Sequence, residues 1–86
     1  MIKELKMTCH ASPSQWEIKL ISGLYCYVRY RWGYLSVGIG KTINDAVREA
    51  MNSEAIWKHP SSGWSGVMST EDMLKHLIPY LEAKEE

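Results

Sequence analysis

From Trp16 onward the chain alternates apolar and polar positions with a period of two, and after Gly40 the period changes to that of a helix. In the run 15–21, Trp16, Ile18 and Leu20 point one way while Glu17 and Lys19 point the other. In 24–31, Leu24, Cys26, Val28 and Tyr30 share one face, and Tyr25, Tyr27, Arg29 and Arg31 the opposite one. Leu35, Val37 and Ile39 form a third apolar row, with Tyr34, Ser36 and Gly38 across from them. Ser22-Gly23 and Trp32-Gly33 separate these runs as tight turns, so the three make an antiparallel meander. Residues 2–9 predict a further strand, with Leu5, Met7 and Cys9 on one face and Glu4 and Lys6 on the other. Pro and Ser in 11–14 favour a turn before the next strand, although Ser12, Pro13 and Gln15 also have the spacing of a helix start.

Gly40 ends the meander and Thr42 opens a helix. Thr42 and Asp45 have the spacing of a capping box, and Ile43, Ala46, Val47, Ala50 and Met51 form one apolar stripe. Ala46 and Ala50 are small enough for close approach to the sheet, and Trp57 joins the stripe if the helix runs on. Ser69 and Asp72 repeat the cap ahead of Met73, Leu74, Leu77, Ile78 and Leu81. Pro79 removes an intrahelical hydrogen bond and is expected to kink or split this second helix. The fold class is therefore α+β. A three- to four-stranded antiparallel meander carries a helix over 42–53 packed on one face and a second, C-terminal helix over 70–82.

Composition fits this outline. Eighty-six residues make one domain, 1–86, and 45% hydrophobic content with four Trp and five Tyr supplies a core without Phe. Ten basic and ten acidic residues cancel. A neutral chain argues against non-specific duplex binding, which needs several phosphate contacts at once. Cys9 and Cys26 have no repeated spacing, which argues against a disulfide scaffold. A single Cys9–Cys26 bond and a buried free Cys26 both fit the sequence, the second more simply. No apolar run reaches the length of about 18 residues that spans a bilayer, and the N-terminus has no signal-peptide core. These features predict a cytoplasmic protein that does not enter membranes.

Candidate chemistry is sparse. Gly38-Ile39-Gly40-Lys41-Thr42 has the parts of a phosphate-binding loop, but Leu35 and Ile43 stand where the nucleotide motifs require glycine. Gly40 and Thr42 are better explained as a strand end and a helix cap. His10, His59, His76 and the two cysteines show no ligand-pair spacing beyond adjacency, and no serine lies in a nucleophile-elbow context. The sequence therefore predicts neither catalytic residue, metal nor cofactor. The face bearing Tyr25, Tyr27, Arg29, Arg31 and Tyr34 is the main candidate for a binding surface, unless the second helix covers it. Trp64, in the Ser- and Gly-rich segment 60–66, is the second candidate. Tyr and Arg are enriched in protein interfaces, and the same mixture stacks and neutralises single-stranded nucleic acid. The sheet edge or its open face also offers a surface for a homodimer.

The run 27–34, followed by Gly38 to Thr42 and the spaced alanines Ala46 and Ala50, resembles the strand–turn–strand–helix cassette of small phage and prophage proteins. It is also similar to the core of HicB-like antitoxins. The resemblance covers a quarter to a third of the chain. It implies a compact non-enzymatic module that binds one macromolecule, such as a phage inhibitor or adaptor of a host protein, a defence component included. The alternatives are a single-stranded nucleic-acid binder and a small antitoxin-like protein. The chain shows no DNA-binding appendage of the kind an antitoxin carries.

Overall fold

The computed structural model describes residues 1–9, 14–60 and 67–84. Five antiparallel strands form one sheet in chain order: β1 (Ile2–Cys9), β2 (Ser14–Leu20), β3 (Tyr25–Arg31), β4 (Tyr34–Gly40) and β5 (Trp57–Lys58). Helix α1 (Ile43–Asn52) lies between β4 and β5, and α2 (Thr70–Lys84) follows β5. The α+β class, the meander and both helices are as the alternation and caps predict. The fifth strand is additional.

The two helices lie on opposite faces of the sheet. Trp16, Ile18, Leu20, Cys26, Val28, Tyr30, Leu35 and Val37 bury their side chains with Met73, Leu77 and Leu81 of α2. The apolar rows of three strands thus meet the apolar stripe of α2, each side covering surface the other would leave in water. Two hydrogen bonds pin the start of this helix. Trp16 Nε1 donates to Thr70 Oγ1 at 2.9 Å, and the Met68 amide donates to the buried Ser14 Oγ at 3.0 Å. Ser69 caps it, accepting from the Asp72 amide at 3.1 Å. The helix continues through Pro79 and is not split there.

Helix α1 takes the other face. Its Ala46 and Ala50 bury against Tyr27, with Tyr25, Ile43 and Val47 at the margin. What seats it is glycine. A methyl group at Gly38 would stand 1.9 Å from the Ala46 carbonyl oxygen, and one at Gly40 2.8 Å from the Ala46 amide nitrogen. The polar-looking row of β4 is therefore a slot for a helix backbone. Thr42 caps α1 as predicted, with its Oγ1 accepting from the Asp45 amide at 3.1 Å.

Two details differ from simple alternation. β1 carries register shifts between Ile2 and Glu4 and between Met7 and Cys9, where extra residues bulge. The second shift places Cys9 opposite Gln15, away from the face shared by Leu5 and Met7. Trp57 leaves the α1 stripe because the helix stops at Asn52. It pairs with Leu35 from β5 and reaches the core from there, its ring 4.2 Å from His76 and 6.3 Å from Tyr30.

Candidate partner-binding site

Helix α1 divides the face that carries Tyr25 to Tyr34. Tyr27 is 6% exposed beneath Ala46 and Ala50, so it serves packing. Tyr25 is half-buried beside the helix, with Lys19 Nζ 5.6 Å from its ring. Beyond the last turn of α1 the sheet opens again. There Arg29, Arg31, Trp32, Tyr34 and Ser36 line a shallow groove whose far wall is Ala50, Met51 and Ser53. Trp64 lies outside the described residues, as does His10.

The hairpin between β3 and β4 builds the rim. Arg31 pairs with Tyr34, leaving Trp32 and Gly33 as a two-residue loop with φ of 56° and 81°. Both values are positive, as a type I′ turn requires. Gly33 fits this demand and Trp32 does not. Left-handed backbone costs a non-glycine residue about 1–2 kcal/mol, and Asn or Asp is the usual compromise. The indole gains little packing in return, since it is 65% exposed. A large aromatic held at an unfavourable φ and turned to solvent is a feature that folding alone does not explain.

The charges point the same way. Arg29 Nη1 donates to Met51 Sδ at 3.0 Å, a weak acceptor, while its Nε is shielded from water with no partner among the described residues. The Arg31 guanidinium lies 5.7 Å from the Trp32 ring, and Lys58 Nζ lies 5.4 Å from that of Tyr34. No carboxylate lines the groove among the described residues. Two cations elsewhere do pair with acids, Arg48 with Asp45 and Lys75 with Glu71 and Asp72. The C-terminal end of α1, with no basic residue in its own last turn, favours guanidinium groups nearby through its partial negative charge. That half-charge leaves most of the positive charge unmatched.

The other titratable groups named by the sequence lie apart from the groove. Cys26 is buried on the α2 face, and burial, with a smaller contribution from Glu49, pushes its thiol up to about 12. Both cysteines are free thiols. Burial also raises Tyr27, an effect that Arg29 partly opposes. His59 and His76 flank the Trp57 ring, edge-on at 5.7 Å and stacked at 4.2 Å.

The structure thus keeps Arg29, Arg31 and Tyr34 together at the hairpin and separates them from Tyr25 and Tyr27. It adds Trp32, Met51 and Lys58, of which the sequence pattern puts Trp32 in a turn and Met51 on a core stripe. The signal for Trp32 was present: a two-residue Trp-Gly loop forces its first residue to positive φ and out into solvent. Comparison with protein-family models, curated proteins and solved structures finds no match to this chain. The chemistry of the groove therefore has to be argued from its own side chains. Two guanidinium groups can bind a carboxylate or phosphate bidentately, and the indole can cover the apolar part of the same ligand.

Proposed function

We propose that this protein is a non-enzymatic binding module that docks an acidic segment of a partner protein at the β3–β4 hairpin. The observation that carries this is Trp32, exposed at a strained φ in a groove whose two guanidinium groups, Arg29 and Arg31, have no acidic partner among the described lining residues. Trp, Tyr and Arg are the residues that most often dominate protein interfaces, and here they surround one small depression. The outline fits a small phage-type inhibitor or adaptor of a host protein. That role rests on the strand–turn–strand–helix resemblance together with the hairpin chemistry.

The test is affinity capture from nuclease-treated host lysate, run in parallel with the wild-type chain and an Arg31→Ala/Trp32→Asn variant. Asn suits the turn, so the hairpin is retained while the indole is removed. A protein held stoichiometrically by the wild type and lost by the variant supports the proposal. Equal recovery by both refutes it.

Single-stranded nucleic acid is the second reading, favoured by Arg29, Arg31 and Lys58 lying beside two exposed rings. It requires binding that weakens steeply with salt and is abolished by Arg29→Ala/Arg31→Ala. Binding indifferent to salt excludes it.

A further inference from the structure

The two edges of the sheet are treated differently. The β4 side is partly covered: β5 pairs with Tyr34 and Leu35, and the Glu49 carboxylate accepts from the Ile39 amide at 3.3 Å. On the β1 side no strand pairs with the outer backbone of Ile2–Cys9 among the described residues. An open edge of eight residues is a template for another strand unless it is guarded. Bulges at both ends limit the regular part to Glu4, Leu5, Lys6 and Met7.

Within that part the side chains select a partner. Leu5 and Met7 lie opposite Ile18 and Trp16 on the α2 face, and Leu5 is 36% exposed because it sits at the margin of the core. Glu4 and Lys6 lie on the other face, opposite Lys19 and Glu17. Consider a second copy added antiparallel about a two-fold axis perpendicular to the sheet. Centring the axis on Glu4 sets Glu4 against its own copy, and centring it on Lys6 does the same with two lysines; like charges directly opposite repel. Centring it on Leu5 sets Glu4 against Lys6 of the second copy, twice, and Leu5 against Leu5. The outer face then reads Lys19, Glu4, Lys6, Glu17 across the seam, alternating in sign throughout. On the α2 face the two Leu5 side chains cover each other.

We infer that β1 is a self-recognition edge, and that a second copy of this chain docks on it in the Leu5-centred register to form a continuous ten-stranded sheet. The inference is independent of the hairpin groove, which lies two strands away. So short an interface implies weak association, with a Kd on the order of 100 μM.

Sedimentation equilibrium of the full chain, from about 10 μM to 1 mM at low salt, tests it. The wild type is expected to shift from monomer to dimer over this range. Lys6→Glu and Glu4→Lys each leave one sign of charge on the edge, and each alone should weaken dimerisation at least tenfold. An equimolar mixture of the two variants should recover dimer, because each supplies the charge the other lacks. Any fold defect is the same alone and mixed, so recovery isolates the edge, and circular dichroism checks each variant. A wild type that stays monomeric at 1 mM overturns the inference. So does a Lys6→Glu variant that dimerises like the wild type, or a mixture no more associated than its components.

Discussion

Gly38→Ala is the sharpest test of how α1 is seated. The backbone of β4 at Gly38 accepts an alanine, since its φ is not in the left-handed region, so the perturbation is purely one of space. The added methyl would lie 1.9 Å from the Ala46 oxygen and 2.4 Å from the Ala50 nitrogen. Tight packing begins at 3.4 Å, so a gap of 3.4 − 1.9 = 1.5 Å must open between two backbones. Neither atom belongs to a flexible side chain, and the strain falls at the upper end of the ~1–3 kcal/mol typical of overpacking. Alanine lowers the entropy of the unfolded chain, returning about 0.4–1 kcal/mol. The net loss is about 2 kcal/mol, a fall in Tm of roughly 8–16 °C for a domain of this size. Thermal and urea melts followed by circular dichroism measure it. Gly40→Ala is the internal comparison: its closest contact, 2.6 Å, is to the Asp45 Cβ, so it should lose less. A Gly38→Ala protein within about 0.5 kcal/mol of wild type, or less affected than Gly40→Ala, refutes the close seating of the helix.

Thr70→Val deprives the buried Trp16 indole of its acceptor without changing side-chain shape, and should cost about 1–3 kcal/mol in urea melts. Trp32→Asn relieves the left-handed strain but gives up the indole's partial packing, so stability should stay within about 1 kcal/mol of wild type while partner capture is lost. Alkali should weaken the fold. The Cys26 thiol titrates near 9.0 when unfolded and about 12 when folded, so between these values the unfolded chain releases the proton first and stability falls as pH rises. Burial raises Tyr27 and Tyr30 as well and adds to the fall above about 10. Urea melts at pH 8 to 11 check the sign, and Cys26→Ser or Cys26→Ala should flatten the lower part of the slope.

The strands and helices were legible because Trp16, Ile18, Leu20, Val28 and Val37 keep period two and Leu74, Leu77, Ile78 and Leu81 keep the helical one. Thr42 and Ser69 announced both helix starts correctly. What alternation does not encode is which helix takes which face. Gly38 and Gly40 look like gaps in a polar row, and only the spacing of Ala46 and Ala50 against them shows that backbone meets backbone there. The bulge before Cys9 and the short strand at Trp57 also depend on pairing partners distant in sequence. At the site, alternation puts Arg29, Arg31 and Tyr34 on one face and they lie at the groove, while Tyr27 shares that face and is buried under α1. Proximity to the end of α1 decides between them, and that is a tertiary property. For Trp32, the turn pattern gives the geometry of the loop, and the cost of placing an indole in it emerges only with the φ of 56°.

The most direct test of the hairpin groove is a titration followed by NMR of the 15N-labelled protein. A short Asp/Glu-rich peptide and an oligothymidylate of equal length serve as probes. The peptide is expected to shift the Arg29 and Arg31 Nε–H and Trp32 indole N–H signals saturably, and to bind more tightly than the oligonucleotide. Shifts that spare these three side chains, or tighter binding of the oligonucleotide, would contradict it.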